Sequence, residues 1–350
     1  MTRVVLINQG CIPHYRIAVY GYLSQYLEWD GFGLTVVSSG IEKRMEQNVH
    51  FDHRTIPLSF FGISRLLQDL RPDVVILWVN LKNLYLFPVI AVAKMLGSKV
   101  IYWGHGRDLQ DKEARIKNLA YVLEHLLCDA IILYAEHLKK YVAAACYSKI
   151  FVANNTLKLA PRYCDAALKK QILAKYNIKT KKNIICSGRM QRRKRIDDLL
   201  NAFDLIDNPE YGLILVGPDT DHVLEGKQNH NVYWLGPIYG DDILDLLSAS
   251  SVYCLPGAIG LSIVDAFYCG VPFVTEVGEE TAERMYLKDG VNGFVVPKGN
   301  IGQLAAKLEL LLANDSLRNA FSLAARDEIM VNGKIDLMCR GFKEALCFVR

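Results

Sequence analysis

A chain of 350 residues is long for a single hydrophobic core and comfortable for two. With 51% hydrophobic and 22% charged residues it is not a disordered polymer, and a net charge of +4 is too small to imply a nucleic-acid partner. Nine cysteines show no CxxC pair and no His spacing suited to zinc, so no metal is expected. Cys128, Cys186 and Cys254 lie in apolar runs, where a reduced thiol acts as a small hydrophobe. Met1-Thr2-Arg3-Val4 enters a predicted strand at once, so no signal peptide is expected. The longest apolar stretch, Leu84 to Leu96, carries Pro88 and Lys94 and is shorter than the ~20 residues of a span. The expected location is the cytoplasm, with the inner face of the membrane as an extension of it.

In chain order, β-branched apolar runs predict strands at Arg3–Asn8, Leu34–Ser38, Val74–Val79, Lys99–Trp103, Ala130–Tyr134 and Lys149–Ala153. Helical periodicity between them predicts Ile17–Glu28, Ser64–Leu70, Leu84–Leu96, Glu113–Leu127 and Ala135–Ala145. From Lys158 to Arg195 there are thirteen Lys and Arg against one acid, Asp165, and the Lys169–Lys182 part reads equally well as a solvated linker and helix face. The alternation then restarts. Strands are expected at Asn183–Ser187, Tyr211–Val216, Val232–Leu235, Val252–Leu255, Pro272–Thr275 and Gly293–Val296. Helices are expected at Ile196–Leu205, Gly240–Ser248, Leu261–Cys269 and Ile301–Ala313, with two more from Leu317 onward. The strands are apolar on both faces, as in parallel sheets covered by helices. The fold class is therefore α/β, with two doubly wound, Rossmann-like domains facing a cleft. The first domain covers 1–155, the second 156–330, and a helix over 331–350 is expected to pack back on the first.

The first strand ends in Asn8-Gln9-Gly10-Cys11-Ile12-Pro13-His14-Tyr15-Arg16. One glycine is not a dinucleotide fingerprint, which argues against an NAD enzyme. Gly10 would let a substrate approach the backbone, with His14, Tyr15 and Arg16 as candidate acceptor contacts; an ordinary loop explains His14 equally well. A later strand runs into Gly104-His105-Gly106-Arg107-Asp108. A histidine between two glycines at a strand's carboxyl end is poorly explained by packing, so His105 is a candidate functional group. Arg107 and Asp108 could instead pair with each other.

Ser187-Gly188-Arg189-Met190-Gln191-Arg192-Arg193-Lys194-Arg195 is a strand end, a glycine turn and a cationic loop that opens a helix. Arginine forks two oxygens and lysine neutralises charge, so the loop suits a diphosphate, with a surface basic patch as the bland alternative. The run Leu255-Pro256-Gly257-Ala258-Ile259-Gly260-Leu261-Ser262-Ile263-Val264-Asp265 carries a strand through glycines into a helix start, a natural phosphate seat at Gly260, Leu261 and Ser262. Asp265, one turn in, could accept from a ribose diol or simply face the helix dipole.

Together with Leu215-Val216-Gly217-Pro218, Leu235-Gly236-Pro237-Ile238, Gly270-Val271-Pro272 and Asp289-Gly290-Val291-Asn292-Gly293, these blocks stand in the order found in the donor domain of GT-B glycosyltransferases of family 4. The resemblance covers about residues 150–315. It implies that Arg189 and Lys194 bind a donor diphosphate, with Gly188 and Gly217 close by. It further implies that Gly236, Pro237 and Ile238 meet the base through backbone, that Asp265 holds the ribose, and that His105 lies near the transferred sugar. The family pattern has an acidic pair, Glu, seven residues, Glu, in the Leu255–Asp265 run, whereas this chain has Gly257 at the first position and Asp265 at the second. That departure leaves the sugar open. The activity implied is transfer of a hexose-type sugar from a UDP- or GDP-sugar to a glycan or lipid-linked acceptor, retaining and metal-independent. No cofactor is expected, because the nucleotide sugar is a substrate, and a peripheral membrane contact is plausible through Lys139-Lys140 and Phe60-Phe61. An epimerase of the same build and a non-catalytic nucleotide-sugar-binding relative are the alternatives.

Overall fold

The computed structural model describes residues 1–42, 49–77, 83–108, 115–224, 230–278 and 281–350. It divides into two compact units, Met1–Lys158 with Lys334–Arg350, and Leu159–Gly333. The division therefore falls three residues beyond the boundary read from the sequence.

The first unit holds β1 (Thr2–Ile7), β2 (Cys11–Ile12), α1 (His14–Glu28), β3 (Phe32–Ser38), β4 (Gly40–Ile41), β5 (Asp52–Thr55), α2 (Phe60–Leu70), β6 (Val74–Leu77), α3 (Leu86–Met95), β7 (Lys99–Gly104), α4 (Arg115–Leu127), β8 (Ala130–Leu133) and β9 (Ile150–Val152). Seven strands form one parallel sheet in the order β5-β3-β1-β6-β7-β8-β9, and β2 pairs with β4 apart from it. Val74 to Leu77 and Ala130 to Leu133 are buried throughout, as expected for strands with helices on both faces. The last two residues of the predicted strand Val74–Val79, and the first two of the predicted helix Glu113–Leu127, lie outside the described residues. Pro88 falls in the first turn of α3, where its missing N–H costs no helical hydrogen bond.

One prediction fails. Ala135–Ala145 is not an α-helix but belongs to two 3-10 stretches, Glu136–Tyr141 and Ala144–Lys149. Leu138 and Cys146 are the buried side chains of these stretches, too narrow an apolar stripe to hold a regular helix against the sheet. The β-branched Val142 between them is extended. The polar edge strand β5, Asp-His-Arg-Thr, has no apolar alternation to announce it.

The second unit contains α5 (Ala166–Lys175), β10 (Lys182–Ser187), α6 (Ile196–Asp204), β11 (Tyr211–Val216), β12 (Val232–Trp234), α7 (Asp241–Ala249), β13 (Val252–Cys254), α8 (Ser262–Tyr268), β14 (Phe273–Glu276), β15 (Gly293–Val296), α9 (Ile301–Ala313) and α10 (Asp315–Asn332). Its six parallel strands run β12-β11-β10-β13-β14-β15. The order reverses between β10 and β13, the switch point at which open α/β sheets offer ligand sites beyond their strands' carboxyl ends. Side-chain caps set the helix starts: Asp165 accepts from the Leu168 amide at 2.8 Å, Asn300 from Gln303 at 3.0 Å and Asn314 from Leu317 at 2.9 Å.

The chain ends in α11 (Ile335–Val349), which belongs to the first unit. Phe342 meets Trp103 edge-on at 4.9 Å, Phe348 lies 5.3 Å from Phe151, and Tyr22 donates to Asp336 at 2.7 Å. Among the described residues no helix is long and apolar enough to cross a membrane.

Candidate functional site

The carboxyl ends of the second unit's strands are drawn together by glycines. Gly188, just past β10, donates its amide to Val216 at 2.8 Å, and Gly217, just past β11, donates to Gly236 at 2.8 Å. Gly217 has φ 140, and a methyl group on it would lie 2.1 Å from the Gly188 carbonyl oxygen, so no side chain fits there. Beyond Gly236, Pro237 is exposed and Ile238 half-buried. On the other side of β10 the loop Arg189–Arg195 folds back over Gly188, where a methyl group would lie 2.6 Å from Lys194 Nζ. The Lys194 carbonyl accepts from the Gly257 amide at 3.0 Å. Gly236, Gly217, Gly188, Lys194 and Gly257 are thus one continuous backbone-packed rim.

Two cations stand on this rim. The exposed Arg189 and the half-buried Lys194 make no ion pair or hydrogen bond through their side chains among the described residues. Burial pushes the Lys194 ammonium below its ordinary pKa, and Arg193 and Arg189 push it further the same way. A desolvated ammonium crowded by guanidinium groups is a site short of an anion. Beyond Gly257, α8 starts at Ser262; Leu261 at its N-cap gives no side-chain cap, and the Gly260 and Leu261 carbonyls take the amides of Ile263, Val264 and Asp265. Gly260, Leu261, Ser262 and Asp265 are all half-buried. Asp265 makes no ion pair or side-chain hydrogen bond among the described residues, and burial raises its carboxyl pKa to about 7. It too lacks a partner, in this case a donor.

Sequence reasoning did not pick out one group that braces this rim. Tyr253, buried on β13, takes the Ser187 amide at 3.1 Å and gives its proton to the Ser187 carbonyl at 3.0 Å. One phenol therefore fixes the end of β10 against β13. Burial raises its pKa beyond the usual phenol range, so it acts as a neutral strut. Its signal, a lone Tyr in an apolar strand, looks like any core aromatic.

The first-unit candidates separate into two kinds. His105 is half-buried, edge-on to Tyr134 at 4.7 Å, and its Nδ1 is buried without a hydrogen-bond partner among the described residues. Burial, then Arg16 and His137, lower its pKa to about 4, so the ring is neutral near pH 7. The flanking glycines are explained by Tyr102: its hydroxyl accepts from the Gly106 amide at 2.8 Å and would lie 2.5 Å from any methyl group on Gly104. Arg107 donates to the Asp108 carbonyl at 3.2 Å and covers the Tyr141 ring.

Arg16 is buried. Its guanidinium lies 5.0 Å from the Trp103 ring centre and donates to Asn155 at 2.9 Å, beneath the surface rather than on it. His14 is engaged locally: Glu42 accepts from its amide at 2.9 Å and pairs with its ring Nδ1 at 3.1 Å, capping α1. Tyr15 is exposed, and Gly10, at φ 87, accepts the Ser39 amide at 3.1 Å. Of these four, Tyr15 and Gly10 keep an open surface.

Residues 169–328 match the family described as glycosyl transferases, group 1. The phosphatidyl-myo-inositol mannosyltransferase of Mycobacterium leprae (strain TN) is 26% identical over 160 residues, 42% of this chain and 42% of that protein. The O-antigen chain mannosyltransferase B of Escherichia coli is 28% identical over 160 residues, 42% of this chain and 41% of its own length. The matched stretch thus spans less than half of either relative. In fold, an Anabaena protein crystallised with UDP-glucose superposes with a TM-score of 0.77 at 16% identity, over 99% of this chain and all of that one. The match covers most of the second unit and includes the cationic loop, Gly188, Gly217, Gly236 and α8, so that unit is similar to group 1 glycosyltransferase domains.

Proposed function

We propose that the protein is a glycosyltransferase that moves a hexose-type sugar from a UDP- or GDP-sugar to a glycan or lipid-linked acceptor, in surface polysaccharide or glycolipid synthesis. The observation that carries the reading is the pair of cations without carboxylate partners, Arg189 and Lys194, on the rim of a group 1 domain. Departure of a nucleoside diphosphate builds negative charge on its phosphate oxygens. Arg189, Lys194 and the amides at Gly260, Leu261 and Ser262 are preorganised to receive that charge, which is electrostatic catalysis without a metal. In this reading the base lies against Gly236, Pro237 and Ile238, and the ribose diol donates to Asp265. Neutral His105 orients the transferred sugar through hydrogen bonds rather than as an acid, and Tyr15 with Gly10 meets the acceptor. Retention of anomeric configuration belongs to the same proposal. The mannosyltransferase relatives support a sugar donor and a glycolipid or glycan acceptor.

A lipid-linked acceptor is further supported by α4, whose Leu119, Leu123, Leu126 and Leu127 are all exposed along one helical stripe. Phe61 is also exposed, whereas Lys139 is paired with Glu136. Thermal shift with UDP, GDP and ADP, followed by their sugars with an acceptor extract, tests the donor reading. A rise in melting temperature with one nucleotide and transfer of its sugar are expected. No shift with any of them removes the donor site. Flotation with anionic vesicles tests the lipid contact, and loss of flotation in Leu119→Ser/Leu123→Ser is its expected signature.

A further inference from the structure

Arg195 sits next to Lys194 but is built differently. It ends the 3-10 turn Arg192–Lys194 and begins α6 with φ 55 and ψ 46, a left-handed conformation that non-glycine residues rarely adopt. Nothing local favours it, because Arg195 makes no side-chain cap to α6. What holds it is its guanidinium: one nitrogen pairs with Glu276 at the end of β14 and the other with Asp198 in the first turn of α6. The Glu276 side chain is fully enclosed, and the oxygen facing Arg195 also accepts from the Gly299 amide at 3.1 Å. Its other oxygen is buried without a partner among the described residues. A carboxylate so enclosed keeps its charge only while a cation faces it, and Arg195 is that cation.

The two anchors of the loop are neighbours. The Lys194 carbonyl accepts from the Gly257 amide, while the Glu276 amide donates to the adjoining Pro256 carbonyl at 3.3 Å. Lys194 is thus suspended between a main-chain tie at Gly257 and a side-chain tie at Glu276. Both of Arg195's forks are occupied by carboxylates, so it does not serve the diphosphate itself.

We propose that Arg195 is a positioning residue. Its clamp by Glu276 and Asp198 holds the left-handed turn that aims Lys194 Nζ across Gly188, a role that rests on the donor-site reading above. A purely structural ion pair would cost stability and leave the affinity of folded protein unchanged, and this difference is measurable.

The test uses Arg195→Gly, because glycine accepts the left-handed conformation without strain and keeps the turn compatible with folding. Binding of UDP and GDP is measured calorimetrically in the full chain, with circular dichroism and thermal melts reporting the folded fraction. Expected results are a folded Arg195→Gly protein binding the preferred nucleotide about tenfold more weakly, and partial recovery on adding millimolar ethylguanidinium, which refills the clamp. Glu276→Gln, isosteric and uncharged, should weaken binding in the same direction. If Arg195→Gly is too unstable to measure, Arg195→Lys, which keeps the charge but loses the fork, should show a smaller loss of the same kind. Unchanged affinity in the folded variants, or a loss that follows only the unfolded fraction, overturns the positioning role alone. Failure of the wild-type protein to bind either nucleotide overturns the donor reading and this role with it.

Discussion

By sequence resemblance Gly257 falls where an acid is expected, and the structure gives a physical reason why a side chain does not fit there. A methyl group on Gly257 would lie 2.3 Å from the Arg193 carbonyl oxygen and 2.6 Å and 2.7 Å from Lys194 Cα and carbonyl carbon. All three are backbone atoms of the loop that carries Lys194, so no rotamer change relieves the contact. Gly257→Ala must therefore push the loop away and break the Gly257–Lys194 hydrogen bond of 3.0 Å. Overpacking against rigid neighbours costs about 1–3 kcal/mol. Taking about 2 kcal/mol for a unit of this size gives a melting temperature lower by about 4–8 °C, read by thermal or urea unfolding. Nucleotide affinity should fall with it, since displacement of Lys194 removes one charge-assisted contact worth about 1.5–3 kcal/mol, or at least about tenfold.

Gly260 in the same loop is the stability control: nothing lies within 4 Å of a methyl group there, so Gly260→Ala should melt close to wild type. Gly257→Glu, which restores the acid of the family pattern, should be worse than alanine rather than a gain of function. A wild-type melting temperature and affinity in Gly257→Ala would mean that the loop does not lie against residue 257.

Three further outcomes are expected. Lys194→Met should leave stability unchanged or raised, because it removes a desolvated ammonium that no carboxylate faces, yet weaken nucleotide binding by at least about tenfold; a clear loss of stability in urea would contradict the unpaired cation. Asp265 has a carboxyl pKa raised to about 7 from an ordinary value of 3.8, so between those pH values the folded state holds a proton that the unfolded state has released. Its contribution to stability therefore declines as pH rises through that window, and Asp265→Asn should flatten the slope in pH-dependent melts. A ribose diol favours the ionised form, so wild-type nucleotide affinity should strengthen from pH 6 to pH 8. Tyr253→Phe strips three polar partners at Ser187 and should destabilise by about 1–3 kcal/mol in chemical denaturation, and equal stability would show the strut to be dispensable.

What could be read from the sequence was what short-range chemistry dictates. Apolar β-branched runs gave the buried strands, and Gly-Arg followed by a cationic loop gave the rim, because these signals lie within ten residues of one another. Where the outcome depended on a distant partner, the sequence was silent. Tyr253 meets Ser187 across 66 positions and Arg195 meets Glu276 across 81, and neither residue differs in type from its neighbours. Arg16 reads from the sequence as a candidate acceptor contact; the ring of Trp103 and the amide of Asn155, 139 positions away, bury it. The 3-10 stretches after β8 were missed for the opposite reason, since their local propensity is helical and only the scarcity of apolar contacts defeats it.

Gly257 combines both situations. Read as a letter it is a missing acid and suggests a weakened site. Read with Arg193 and Lys194 against it, it lets their backbone lie directly on residue 257 while Lys194 reaches over Gly188, since a side chain at 257 would fall on Arg193 and Lys194 backbone atoms. The absence of a side chain at 257 and the close seating of the Lys194 ammonium are then one structural choice, and it weights the local charge on the rim toward a cation.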